Sequence, residues 1–151
     1  VSYGPRNTPA AALPHCRTIP AMPSAAPPAC VLLVDDDDIV VAAMQMLLRV
    51  SGYRVHASDS GAAALALVVA GLRPDALVVD YTLGVGGPNG IELLRSLRAR
   101  LGRDVPAIIT SGDVSGALDA AVAQLPCARL LVKPFDPKAF VEQVDGLFGP
   151  T

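Results

Sequence analysis

The chain of 151 residues lacks any cluster of Lys and Arg, and its formal charge is −2. With no strip of cations to neutralise successive phosphates, direct DNA or RNA binding is not expected. Long hydrophobic runs are missing too: the longest nearly uninterrupted one, at 62–72, has 11 residues, against roughly 18–20 for a helix that crosses a bilayer. No apolar stretch of about 7–15 residues marks a secretory signal, so no membrane association and a cytoplasmic location are the expectation. Three cysteines (Cys16, Cys30, Cys127) without CxxC spacing and two histidines (His15, His56) supply neither a disulfide framework nor a zinc site. Reduced thiols are what a cytosolic compartment predicts.

What is present is unevenly distributed. Seven of the fourteen prolines fall before residue 30, in a stretch whose first 28 residues contain no acid and show no helical or strand period. Residues 1–29 therefore read as a Pro/Ala-rich flexible tail or linker. Over residues 30–149 short apolar runs alternate with longer amphipathic ones, the pattern of a parallel sheet flanked by helices. The spacing predicts strands over 31–34, 53–57, 76–79, 107–110 and 130–132, and helices over 39–50, 62–70, 90–101, 116–125 and 137–148. The first, third and fourth strands are apolar throughout, as strands covered on both faces are. In the third helix Ile91, Leu94, Leu97 and Leu101 recur at helical spacing while Glu92, Arg95, Arg98 and Arg100 take the other face, a one-sided packing surface. Five βα units define an α/β domain: a doubly wound, five-stranded parallel sheet with five helices.

In such a sheet ligands bind outside the carboxyl ends of the strands. Those positions hold Asp35-Asp36-Asp37-Asp38, Asp80, Ser111-Gly112 and Lys133-Pro134. Each has a plain reading alone: an acidic turn in which Asp37 or Asp38 caps the next helix, a loop residue, a turn, a strand exit. Their joint placement at one edge outweighs those readings. Converging carboxylates repel one another and call for a cation, and hard oxygen ligands suit Mg²⁺ or Mn²⁺. A carboxylate nucleophile, a hydroxyl and an ammonium beside such an ion are the equipment of phosphoryl transfer to an aspartate.

In order along the chain, VLLVDDDD, ALVVDYTLG, AIITSGD and LLVKPF resemble the receiver domain of two-component response regulators, over roughly residues 30–148. The spacings agree as well, with 45 residues from Asp35 to Asp80 and 22 from Ser111 to Lys133. The resemblance implies a flavodoxin-like fold and a signalling domain, not a turnover enzyme, whose only chemistry is self-catalysed phosphoryl transfer and slow autodephosphorylation. It implies Asp80 as phosphoacceptor, Asp35 and Asp36 as metal-binding acids with Asp36 the direct ligand, and a Thr82 backbone carbonyl on the metal. Ser111 then matches the switch hydroxyl, Lys133 the ammonium that meets the phosphoryl group, and the Lys133–Pro134 peptide is cis. The implied partners are a histidine kinase or histidine phosphotransfer domain and a downstream protein, with a homodimer as a further option. A free-standing regulator and the C-terminal receiver of a hybrid sensor kinase both fit.

Three departures from the family pattern accompany the match. Gly84 stands where a proline is usual, in a loop about two residues longer. Leu130 replaces a frequent aromatic. The acidic run continues through Asp37 and Asp38, which leaves the ligand register open by one position. Other readings are weaker. Gly84 to Asn89 lacks the last glycine of a dinucleotide loop, and aspartyl-phosphate hydrolases of the haloacid dehalogenase type place their acid pair last. A pseudo-receiver that binds without being phosphorylated has no need to keep mutually repelling carboxylates.

Overall fold

The computed structural model describes residues 28–84, 86–113 and 115–149; of the tail expected over residues 1–29, residues 1–27 lie outside them. Five strands, β1 (Cys30–Val34), β2 (Arg54–Ser58), β3 (Ala76–Asp80), β4 (Ala107–Ser111) and β5 (Ala128–Val132), alternate with α1 (Asp38–Val50), α2 (Gly61–Val69), α3 (Gly90–Leu101), α4 (Gly116–Ala123) and α5 (Pro137–Leu147). All pairings are parallel, in the order β2-β1-β3-β4-β5. The order reverses between β1 and β3, which makes that edge the switch point where such sheets take their ligands.

Strand alternation divides the core. Leu32, Val34, Leu77, Val79 and Ile109 pack with Val68 of α2, Leu93, Leu94 and Leu97 of α3, and Leu118 and Val122 of α4. Val31, Leu33, Val78 and Ile108 pack with Met44 and Leu48 of α1 and Phe140, Val144 and Leu147 of α5. Covered on both sides, β1, β3 and β4 are buried at every position, which is why they carry apolar residues without alternation. Helix starts follow local chemistry: Asp37, Ser60 and Asp136 each cap their helix by accepting main-chain amides, and Asn89 and Glu92 close a reciprocal capping box on α3.

Several boundaries differ from the sequence expectation. The β5 strand begins two residues early, because Arg129 interrupts the apolar pattern yet lays its guanidinium on α5, donating to Gln143 at 3.0 Å. The β3 and β4 strands run on to take in Asp80 and Ser111, β2 is shifted by one residue, and α4 ends at Ala123. There the Leu125 amide bonds back to Val122, a tighter turn than the helix. Arg98 is the clearest correction: expected on the open face of α3, it is buried. Its guanidinium donates to the carbonyls of Val105 and Cys127, which satisfies the charge-bearing head inside the domain.

Thr110 of β4 is fully buried, and its hydroxyl has no hydrogen-bond partner among the described residues. A buried hydroxyl left unpaired costs about 1–3 kcal/mol of desolvation. Thr110→Val keeps the branched shape and removes the cost, so its urea-unfolding free energy should exceed that of the wild type by about 1 kcal/mol; an equal or lower value would show that the hydroxyl is satisfied in solution.

Candidate functional site

The four consecutive aspartates separate into distinct roles as the chain turns from β1 into α1. Asp35 is buried at 1% exposure: its amide continues the sheet pairing to Ser58, one carboxylate oxygen accepts the Asp37 amide at 2.9 Å, and the other accepts Lys133 Nζ at 3.0 Å. Asp37 points back into the helix and caps it through the amides of Ile39 and Val40. Asp38 sits in the first turn of α1, where negative charge favours the helix dipole. Asp36 is left beside Asp80. One oxygen from each of Asp35, Asp36 and Asp80 lies within 4.8 Å of the others, a spacing that an oxygen-liganded divalent ion can bridge. Of the two registers open from sequence, the geometry gathers Asp35 and Asp36, with Asp37 committed to the cap.

Asp80 ends β3 opposite Thr110 of β4 and is buried. Its carboxylate receives the Thr82 amide at 3.4 Å and stands 3.4 Å from Lys133 Nζ. Lys133 leaves β5 with its amide bonded to the Ser111 carbonyl and a cis peptide to Pro134, and its ammonium reaches both Asp35 and Asp80. Ser111 is buried at the end of β4, with its Oγ accepting the Asp113 amide at 2.9 Å. The hydroxyl is thus tied to the loop that follows β4, while the carboxylate–ammonium cluster forms beside it. Across the cluster the β3–α3 loop passes close: a Cβ on Gly84 would lie 3.8 Å from Asp36. The amides of Asp37 and Thr82, both aimed at carboxylates, went unseen in the sequence because backbone groups leave no mark on residue identity.

Two carboxylates, Asp35 and Asp80, facing one ammonium set the electrostatics. Burial, then the charge of Asp35, push Asp80 above the ordinary carboxylate range, against the opposing pull of Lys133 and the Thr82 amide. Burial alone would lower Lys133, but the hydrogen bond and charge of Asp35, with the charge of Asp80, outweigh it and raise the ammonium. The arrangement therefore suits an added cation and, beyond the carboxylate, a tetrahedral anion within reach of Lys133.

The doubly wound, five-stranded parallel sheet with five helices, carrying an acid pair, a strand-end aspartate and a lysine at its switch point, defines the class as a flavodoxin-like α/β domain. The chain matches the response regulator receiver domain family over residues 31–145, and it belongs to that family: it is a receiver domain of two-component signalling. Similar solved structures include a response regulator from Chloroflexus aurantiacus, 30% identical, covering 80% of this chain and 98% of that one with a TM-score of 0.71. The chemotaxis response regulator CheY4 of Vibrio cholerae is 24% identical, with 80% and 98% covered and a TM-score of 0.69. The receiver domain of Francisella response regulator 1452 is also 24% identical, with 80% and 96% covered and a TM-score of 0.70. No curated protein sequence matches the chain. Among the described residues no helix is long and apolar enough to cross a membrane.

The raised Asp80 has a thermodynamic consequence. Between the unfolded value near 3.8 and the raised folded one, the native state binds more protons than the unfolded state. Stability contributed by this group is thus present at low pH and lost as pH rises. Lys133, also raised, contributes stability that is lost only as pH climbs past its ordinary 10.5. In metal-free buffer at pH 7, Asp80→Asn should melt higher than the wild type, since the crowded, buried charge is gone. The gap should close toward pH 3.8, measured by thermal denaturation across pH.

Proposed function

We propose that the domain accepts a phosphoryl group from the phosphohistidine of a histidine kinase or histidine phosphotransfer domain onto Asp80, and that the resulting change of conformation controls a downstream protein. The single observation that carries this reading is the Asp80 carboxylate held between the acids Asp35 and Asp36 and the Lys133 ammonium. In the transfer an Asp80 oxygen forms a bond to phosphorus as the phosphorus–nitrogen bond to the imidazole breaks, and the imidazole leaves with that electron pair and later takes a proton. Asp35 and Asp36, with Asp80 and the backbone carbonyl of Thr82, would hold Mg²⁺ or Mn²⁺, whose chemistry is to screen the carboxylates and the incoming phosphoryl oxygens from one another. Lys133 turns from its carboxylate partners to a phosphoryl oxygen. Ser111 exchanges its bond with the Asp113 amide for one to the phosphoryl group, which pulls on the loop after β4. The receiver unit is read as residues 30–149, with residues 1–29 as tail or linker, in a cytoplasmic protein that acts through protein partners and not by binding nucleic acid.

With Mg²⁺ and acetyl phosphate, the wild type should gain one hydroxylamine-labile phosphoryl group by intact mass, and Asp80→Asn none; equal labelling of the mutant overturns the assignment. Asp36→Ala should weaken Mg²⁺ binding at least about tenfold, since one of few anionic ligands is gone, whereas Asp37→Ala should leave it within about twofold. Lys133→Ala should bind Mg²⁺ as tightly as the wild type or tighter, having lost a repelling charge, yet label slowly. Titration calorimetry with phosphorylation time courses separates these outcomes.

A further inference from the structure

The β3–α3 loop ends in a backbone contact at Gly90 that leaves no room for a side chain. A Cβ built on Gly90, the first residue of α3, would stand 2.6 Å from the Asp80 carbonyl oxygen, 2.7 Å from the Tyr81 Cα and 3.0 Å from the Asp80 carbonyl carbon. The two shorter distances lie inside the 3.0 Å floor for real Cβ contacts, and all three atoms are backbone, so no rotamer change relieves them. Gly90 has no positive φ; the requirement for glycine here is one of space, not of backbone conformation.

Neither side of the contact has slack. The Tyr81 amide is bonded to the Thr110 carbonyl at 2.8 Å and the Tyr81 carbonyl accepts the Gly90 amide at 2.8 Å. On the other side, α3 is seated by Leu93, Leu94 and Leu97, all fully buried, and by the Asn89–Glu92 capping box. A side chain at position 90 must therefore divide its displacement between the helix and the Asp80–Tyr81 peptide.

We propose that Gly90 is a positioning residue for Asp80: by letting α3 begin directly against the Asp80–Tyr81 peptide, it fixes the height of the Asp80 carboxylate relative to Lys133, Asp35 and Asp36. This rests on the reading of Asp80 as phosphoacceptor. Displacements of the order of 1 Å at a reacting atom cost up to about a hundredfold in rate.

The test is the rate of labelling by acetyl phosphate at saturating Mg²⁺, well below each variant's melting temperature, with fold content followed by circular dichroism. Gly90→Ala should be folded and label about 10- to 100-fold more slowly than the wild type. Gly116→Ala makes the same change at the first residue of α4, where nothing among the described residues lies within 4 Å of the added Cβ, and should label at the wild-type rate. Asn89→Ala removes the cap and so weakens the start of the helix, but puts no atom against Asp80; it should melt lower and still label within about twofold of the wild type. Equal rates for Gly90→Ala and wild type overturn the positioning role, as does an equal loss in Asn89→Ala, which would make general loosening of α3 the cause. If Gly90→Ala stays unfolded even in a stabilising osmolyte, Gly90 is a folding requirement and the positioning role falls. A wild type that takes no label overturns the phosphoacceptor reading itself, a result distinct from all of these.

Discussion

The pairing of Lys133 with Asp35 spans the sheet from the edge strand β5, over β4 and β3, to β1, the neighbour of the opposite edge strand β2. Asp35 is almost wholly removed from water, and a buried carboxylate without a partner is several kcal/mol out of balance. The one ammonium at this edge thereby fixes where the β5–α5 turn must lie relative to the β1–α1 turn. Asp80 falls between them at 3.4 Å from the same nitrogen. Such pairs are poor evidence of net stability, because desolvation offsets much of their attraction. Here the pair's clearer contribution is geometric: it draws three separate strand ends into one cluster.

A parallel sheet makes the clustering cheap in backbone terms. Every strand ends on the same edge, so residues 35, 80, 111 and 133, far apart in the chain, arrive there without any special loop. The reversal of winding between β1 and β3 opens the crevice at the position where the acid pair meets the strand-end aspartate. The helices then act as stops. Asp37 caps α1 immediately after the acid pair, and Gly90 begins α3 against the Asp80 backbone, so the two walls of the site are helix N-termini whose start residues are dictated by capping and by space.

Periodicity made the architecture legible because the driving pattern is coarse. Uninterrupted apolar runs such as 31–34 and 76–79 can only be strands with two covered faces, and the structure buries them throughout. Exceptions arise where one side chain obeys tertiary contacts over its intrinsic character. Arg98 reads as solvent-facing from charge alone and Arg129 breaks the apolar pattern of its strand, yet the first finds carbonyl acceptors inside the domain and the second lies along α5. The division of labour within Asp35 to Asp38 was open in the sequence, since four identical side chains carry no internal signal; backbone turn geometry decides which one caps and which faces Asp80. Gly90 was equally hidden, because a glycine required for space looks the same as one tolerated in a turn.

On the proposed reading, phosphorylation would replace a carboxylate already crowded by like charge with a group of about −1.5 to −2, beside a single ammonium that Asp35 also holds. Lys133 cannot satisfy both partners as before, and the Ser111 hydroxyl, now accepting the Asp113 amide, is a donor with a loop attached to it. A switch needs two arrangements whose energies the new group affects differently. Leu130 is a poor candidate for that element: partly buried against the core on the α2–α4 side, it has no polar tip to trade between solvent and a backbone partner, so its alternative positions differ little in energy. The Ser111–Asp113 connection does meet the requirement, since one hydrogen bond is broken and another formed when the hydroxyl turns. On that reading the physical logic of the site would direct the signal from Asp80 into the loop after β4 rather than through the side chain at position 130.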